Sequence, residues 1–422
     1  MYKVNKYVSQ YRDESDTIVF NALTGGLYKF NSYTAKMIAF DGAQDIERTI
    51  PRVTLDFLTK EQIVVPATLD EIEIVQARFR HARQYSKQLY ATFILTEQCN
   101  LRCVYCYQNH QNTKASINSL QKSLRHVETR IDDYESLKVH WFGGEPLLRL
   151  DILEHTAFHL IKMCEERRKK YFSGITTNGI LLNNRTAKKL KNLKVDQIQF
   201  TLDGDCDQHN ELRVYASGNG TFFQVLSAIK IAVENNFITF VRVNLSKHNI
   251  LSFERLLDRL ILEGLGPDQI RLYINEMKEH GNSPPMSGLY FKDVAEYGTY
   301  LVDALSIMQR FGYPLPALVP VDVNCEFDKP STMLFGTDGN MYHCTTGTDR
   351  PLALLDDEGE IKEKTERMCK THDREPWDDP MCNNCKHLPL CMGGCSYLEE
   401  DGKTKCNPER FVLEPLIRLI AS

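Results

Sequence analysis

No stretch of this 422-residue chain approaches the roughly 20 consecutive apolar residues that cross a bilayer. Its first residues, MYKVNKYVSQYRDE, also lack the apolar core of a secretory signal. These absences predict a cytoplasmic protein with no membrane partner. An excess of basic charge is missing too: Lys plus Arg is 51 against 56 Asp plus Glu, a net charge of -5. Such a chain has no field for holding a phosphate backbone, which excludes nucleic acid as an expected partner. Internal repeats and low-complexity tracts are absent as well, and no cysteine occurs before Cys99.

Thirteen cysteines follow. A chain of this size in a reducing compartment neither needs disulfides nor keeps them, so the thiols read as metal ligands or reactive groups. Three fall within Cys99 to Cys106 and eight from Cys325 onward, which divides the chain into three parts. At roughly 150 residues per domain, two to three domains are expected. Residues 1–68 carry a strand, a Gly turn and a strand (Thr17 to Phe20, then Leu23-Thr24-Gly25-Gly26-Leu27-Tyr28). A helical stretch from Ser32, a helix over Val53 to Leu58 and a short strand at Ile63 to Val65, stopped by Pro66, complete a winged-helix-like unit. Residues 69–89, highly charged at helical spacing, read as a linking helix.

Residues 90–313 alternate short β-rich runs with longer helical patterns. Six strands are expected: Ala91 to Thr96, Lys138 to Phe142, Phe172 to Thr177, Gln197 to Leu202, Thr239 to Leu245 and Gln269 to Ile274. The alternation predicts an α/β fold with a parallel sheet whose ligand site lies at the carboxyl ends of the strands. In residues 314–422 the alternation stops, and Cys, Gly, Asp and Asn dominate. That segment is expected to owe its order to bound metal more than to a large core.

After the first strand, Cys99-Asn100-Leu101-Arg102-Cys103-Val104-Tyr105-Cys106 spaces its thiols as C-x3-C-x2-C. Three thiolates on one loop can hold three irons of a cubane cluster and leave the fourth open. Structural zinc needs four ligands, and only His110 is near enough to be considered as the fourth. The spacing, with the aromatic Tyr105 before the third cysteine, resembles the radical S-adenosylmethionine enzymes. That resemblance implies that Cys99, Cys103 and Cys106 hold a 4Fe-4S cluster whose open iron takes S-adenosylmethionine for reductive cleavage to a deoxyadenosyl radical. It also implies a partial (β/α)6 barrel, in agreement with the independent count of six strands.

Three further elements match the family. Gly143-Gly144-Glu145-Pro146 ends the second strand; its glycines allow a close backbone approach to a ligand, and Glu145 can accept from an ammonium group. This resembles the family element that binds the amino group of the cofactor. Thr177 and Asn178 end the third strand, while Asp203 and Arg213 follow the fourth. The resemblance implies contacts from these positions to the ribose or carboxylate of the cofactor, or to the substrate. Each motif alone is weak, and their joint occurrence at successive strand ends carries the inference.

The tail reads Cys325, Cys344 in a G-x4-C element, Cys382-x2-Cys385-x5-Cys391-x3-Cys395, then Cys406. It resembles the SPASM extension of a subset of these enzymes, which implies two auxiliary 4Fe-4S clusters beside the catalytic one, three in all. Cys382, Cys385, Cys391 and Cys406 would hold the distal cluster, and Cys325, Cys344 and Cys395 the nearer. Either Cys369 completes the nearer one, or an iron stays open for a substrate thiolate. A zinc ribbon built from the C-x2-C pair is the alternative reading of the tail. Cys164, on a helical pattern, reads as a small buried hydrophobe. Cys206, after the fourth strand, is a candidate thiol at the barrel mouth and the only catalytic candidate.

The first 68 residues resemble, without a sharp motif, the leader-binding domains of enzymes that modify ribosomally made peptides. The expected function is therefore a peptide maturase that forms an intramolecular crosslink, thioether or C-C/C-O, in a precursor peptide. Its electrons would come from a donor such as ferredoxin or flavodoxin. An anaerobic sulfatase-maturating enzyme is the first alternative; there an aspartate follows the cysteine of the G-x4-C element, whereas Thr345-Thr346 follows Cys344 here. A non-catalytic zinc-binding adaptor is the second.

Overall fold

The computed structural model describes residues 1–13, 16–31, 34–35, 46, 50–108, 110–279, 288–348, 350–400 and 406–421. Most of the helical stretch expected from Ser32 lies outside the described residues. The chain divides into two compact units: Met1–Tyr85 with Pro316–Lys329 and Asp373–Ser422, and Ser86–Leu315 with Pro330–His372. Among the described residues, no helix is long and apolar enough to cross a membrane.

In the first unit, β1 (Tyr2–Val4) pairs antiparallel with β5 (Val64–Pro66), while β2 (Val8–Asp13), β3 (Asp16–Asn21) and β4 (Gly26–Asn31) form an antiparallel meander. Helix α1 (Arg52–Lys60) precedes β5, and α2 (Glu71–Gln84) starts where the Asp70 carboxylate accepts from the Ile72 N–H. The core of this unit is shared between distant parts of the sequence. Tyr7, Phe20, Leu23, Val75 and Phe79 pack with Trp377, Cys382, Leu388, Met392, Leu413 and Ile417. The Phe79 and Trp377 rings meet edge to face at 5.3 Å. Arg80 clamps the Glu375 carboxylate through two bonds of 2.8 Å.

The second unit is built on six parallel strands, β6 (Gln88–Ile94), β7 (Ser136–Phe142), β8 (Lys170–Thr176), β9 (Val195–Thr201), β10 (Ile238–Leu245) and β11 (Arg271–Glu276). Helices follow the strands: α3 (Ile117–Arg130), α4 (Leu150–Glu166), α5 (Asn184–Asn192), α6 (Cys206–Leu212), α7 (Phe222–Glu234), α8 (Ile250–Leu262) and α9 (Val294–Arg310). The outer strands β6 and β11 are not paired with one another among the described residues, as a partial barrel requires. Ser116 and Ser119 form a reciprocal capping box that starts α3.

The sheet extends beyond the six expected strands. β12 (Thr332–Phe335) adds parallel to β6, and β13 (Met341–Tyr342), β14 (Ala353–Leu355) and β15 (Ile361–Lys364) continue it antiparallel. Residues 330–372, expected to depend on metal for their order, therefore gain an apolar core: Phe335 lies 5.2 Å from the ring of Phe93, which in turn stacks on the fully buried Trp141. Burying each such ring is worth roughly 1.5–3 kcal/mol.

Candidate functional site

The carboxyl ends of β6 to β11 surround one cavity. Its walls include Cys99, Cys103, Cys106, Tyr107, Gly143, Gly144, Thr177, Asn178, Arg213, Arg242 and Asn244. Backbone bonds pin the cysteine loop from both sides. Gly144 N–H donates to Thr96 O at 2.8 Å and Glu145 N–H to Gln98 O at 2.9 Å, while Arg102 and Val104 donate to Val214 O and Leu212 O. These bonds explain the two glycines. A Cβ on Gly143, whose φ is +147°, would lie 2.4 Å from Thr96 O, and one on Gly144 would lie 2.2 Å from Gln98 O. The close approach expected toward a ligand is thus made first by the cysteine loop itself.

The Glu145 carboxylate is held by three donors. Its side chain is fully buried and outside the cavity wall. One carboxylate oxygen accepts from Thr177 Oγ1 at 2.7 Å and Leu147 N at 3.0 Å, and the other from Asn178 N at 2.7 Å. Burial pushes its pKa up, and the three donors pull it back. Glu145 therefore shapes the turn that presents Thr177 and Asn178. Pro146, also buried, opens the short 3-10 turn that follows.

Asn178 reaches the cysteines directly: its Nδ2 lies 3.6 Å from Cys99 Sγ and donates to Asn100 Oδ1 at 2.8 Å. Leu101 N–H points at the same sulfur from 3.4 Å. Burial pushes the Cys99 thiol up to about 11 and Cys103 to about 12, and raises Cys106, while the Arg213 charge opposes all three shifts. Buried, protonated thiols of this kind become thiolates when a metal binds them.

Arg213 forms the far wall, with Asp203 buried behind it. Asp203 is fully buried and lies 3.8 Å from Arg213 Nη1; its other oxygen accepts from Asn244 N at 2.8 Å. The Tyr105 hydroxyl bridges the pair, donating to Asp203 and accepting from Arg213 Nη1 at 2.6 Å. The aromatic residue of the cysteine motif thus ties the loop to the end of β9. Arg213 Nε is buried without a partner among the described residues, an unused donor beside the cavity.

These residues fit a cluster with an open iron and a carboxylate-bearing ligand: three thiols share one cavity, and an orphan guanidinium donor can take the carboxylate. His110, considered as a fourth zinc ligand, lines the same cavity. Yet among the described residues no group of three or more His, Cys, Asp or Glu is gathered to hold a single metal ion.

The radical SAM superfamily matches residues 93–260. The chain carries a radical SAM domain. Proteins of this family bind S-adenosylmethionine and a 4Fe-4S cluster. A cysteine-type anaerobic sulfatase-maturating enzyme of Clostridium novyi is 26% identical over 349 residues, 72% of this chain and 87% of that one. In fold, the chain is similar to anSMEcpe solved with AdoMet and the Cp18Cys peptide, at a TM-score of 0.60 and 18% identity over 79% of this chain and 98% of the other. Streptococcus suis SuiB bound to precursor peptide SuiA gives a TM-score of 0.52 at 16% identity over 97% and 98%.

The radical SAM domain uses residues that motif reading passed over. Tyr107, Gln199, Thr201, Arg242, Asn244 and Glu276 also line the cavity, with Arg242 Nε donating to Asn244 Oδ1 at 2.7 Å. Apart from Tyr107, which lies on the cysteine loop, the signal for them was polar residues inside otherwise apolar strands. Cys206, by contrast, sits at the start of α6, outside the cavity wall, where Asn210 donates to its sulfur at 3.4 Å. Cys164 is buried on α4.

The remaining cysteines are distributed over both units. Cys382, Cys385, Cys391 and Cys406 come together in the first unit: burial first, and then the charges of the other three, push Cys391 up to about 12. Arg410 Nη1 lies 3.0 Å from Cys406 Sγ. Cys325 and Cys395, both half-buried, belong to the same unit. In the second unit, Cys344 follows β13 and adds to the burial that raises the Tyr107 hydroxyl pKa, whereas Cys369 is exposed on the helix Glu366–Asp373.

Proposed function

We propose that this chain is a radical S-adenosylmethionine maturase that forms an intramolecular crosslink, thioether or C-C/C-O, in a ribosomally made precursor peptide. The observation that carries the reading is the shared cavity of Cys99, Cys103, Cys106 and Arg213 at the strand ends. The cluster and S-adenosylmethionine, when bound, supply a one-electron reagent able to take an unactivated hydrogen. The protein's part is to hold and orient. Cys99, Cys103 and Cys106 are the cluster ligands, Asn178 and Leu101 N–H support the Cys99 sulfur, and Arg213 takes the cofactor carboxylate. Gly143, Gly144, Thr177 and Asp203 frame the same cofactor.

Peptide recognition is assigned to residues 1–68. β4 is paired only with β3 among the described residues, so its outer edge can add an extended peptide strand. Tyr28, Phe30 and Phe57 cluster beside that edge at ring separations of 5.7–6.3 Å, with Phe57 40% exposed. Two of the fold neighbours were solved with peptides bound. Cys382, Cys385, Cys391 and Cys406 would hold a distal auxiliary cluster and Cys325, Cys344 and Cys395 a nearer one, with Cys369 or an open iron completing it; these clusters would supply a sink for the surplus electron, and a ferredoxin or flavodoxin would be the electron donor.

Formylglycine formation on a protein is the second reading, favoured by the likeness to the Clostridium novyi enzyme. Mass spectrometry separates the two. The maturase removes two hydrogens per crosslink from a co-expressed precursor and keeps any sulfur, whereas formylglycine formation at cysteine loses the sulfur. Deleting residues 1–68 weakens precursor binding more than uncoupled cofactor cleavage on the first reading, and equal peptide affinity in the truncated enzyme rules out docking there. A colourless preparation without iron would instead support a zinc-binding adaptor.

A further inference from the structure

A second cavity lies among the amino-terminal halves of the barrel strands, and Gln199 lines both it and the cavity described above. Two cations line it, the half-buried Lys138 on β7 and the exposed Arg271 on β11, and no Asp or Glu does. Neither cation has a carboxylate partner among the described residues. Each lies instead over the aromatic ring that the sheet register sets beside it. Lys138 Nζ is 5.5 Å from the centre of Tyr90, and the Arg271 guanidinium is 5.6 Å from that of Phe240. A cation–π contact leaves the N–H donors unused.

The cavity exists because β8 has Gly174 at this level. A Cβ built there meets Gln197 Cβ at 3.4 Å and Gln197 O and His140 Nδ1 at 3.5 Å, which is ordinary contact, so a larger side chain would grow into the space. His140 stands on the wall with Nε2 2.9 Å from Thr176 Oγ1. Aromatic walls with a few convergent donors are the usual makeup of an organic-ligand pocket.

We propose that this cavity binds a carboxylate, whose oxygens are taken by Lys138 and Arg271 and whose carbon body lies between Tyr90 and Phe240. The carboxylate can come from a small organic acid or from a residue of a peptide. This chemistry requires neither cluster nor S-adenosylmethionine, so it stands or falls apart from the radical reading.

The test is calorimetric titration of the anaerobically reconstituted full-length protein with glutarate, and with glutaramide as its neutral counterpart. Glutarate is expected to saturate one site with a Kd of about 1 mM, and glutaramide to bind at least about tenfold more weakly. Lys138→Met and Arg271→Met should each weaken glutarate about tenfold, with Lys138→Arg and Arg271→Lys retaining most of the affinity. Gly174→Leu should abolish binding by filling the space. An acetylated, amidated pentapeptide with a central Glu that competes with glutarate identifies a side chain as the source, and competition only by free acids identifies a small acid. Equal binding of glutarate and glutaramide, or none up to about 50 mM, overturns the proposal on the unmodified protein, whatever the variants do. Unchanged glutarate affinity in folded Lys138→Met and Arg271→Met overturns it as well.

Discussion

Cys99, Cys103 and Cys106 face a cavity in the barrel unit, beside an arginine with an unused donor. Cys382, Cys385, Cys391 and Cys406 belong to a unit in which Cys382 is part of the hydrophobic core and Cys385 packs against it. Burial raises thiol pKa values in both groups, yet the two surroundings suit different tasks. Three thiols around open space leave a coordination position for a ligand. Of the four thiols in the first unit, Cys382 and Cys385 are set against packed side chains, so a cluster held there would become part of the folding energy of that unit.

The largest effect that sharpens this contrast is expected from Cys99→Ala, Cys103→Ala and Cys106→Ala combined. Deoxyadenosine release should vanish while the preparation loses about four irons, of about twelve if three clusters are bound, as metal analysis would register. Loss of all iron would mean that the two groups are not independent. Cys382→Ala should act the other way round: it destabilises the first unit by about 2 kcal/mol or more, because its core joins Phe20 and Phe79 to the cysteine segment. Hydrogen exchange in residues 16–31 should then rise by roughly 30-fold, and unaltered exchange would separate the cysteine segment from that core.

Arg213→Lys is expected to weaken S-adenosylmethionine binding about tenfold in equilibrium dialysis, because a point charge replaces the fork that serves Tyr105 and the cavity together. Affinity equal to the parent's would remove Arg213 from the cofactor wall. The smallest effect concerns pH. Burial, then the neighbouring Lys138 charge, hold the His140 imidazole down to about 4, below its unfolded value near 6.5. The unfolded chain therefore takes up that proton first, and the stability that the neutral ring contributes, present above pH 6.5, is lost as pH falls toward 4. His140→Gln should flatten that part of the stability profile by about 1–2 kcal/mol in urea titrations, and an unchanged slope would show that the ring is solvated.

Much of the barrel was legible because buried parallel strands are continuous apolar runs between helical patterns, and all six lie within a few residues of their expected places. β12 escaped because its Thr332–Phe335 run has only four residues and no helical pattern before it. The cysteine spacing identified the loop, but sequence could not say what the motif residues touch. Gly143 and Gly144 make room for the backbone of Thr96 and Gln98, and Glu145 ties down the Thr177–Asn178 turn, contacts that span from 32 to 47 residues of sequence. Arg242 and Asn244 were hidden inside a strand whose neighbours Val241, Val243 and Leu245 are all buried.

The most direct test is anaerobic incubation of reconstituted protein with S-adenosylmethionine and dithionite, followed by chromatography for 5'-deoxyadenosine. Release of deoxyadenosine, together with a change in the electron paramagnetic resonance of the reduced cluster on adding the cofactor, is the predicted result. A spectrum that ignores the cofactor, and no deoxyadenosine above a no-protein control, would contradict the account.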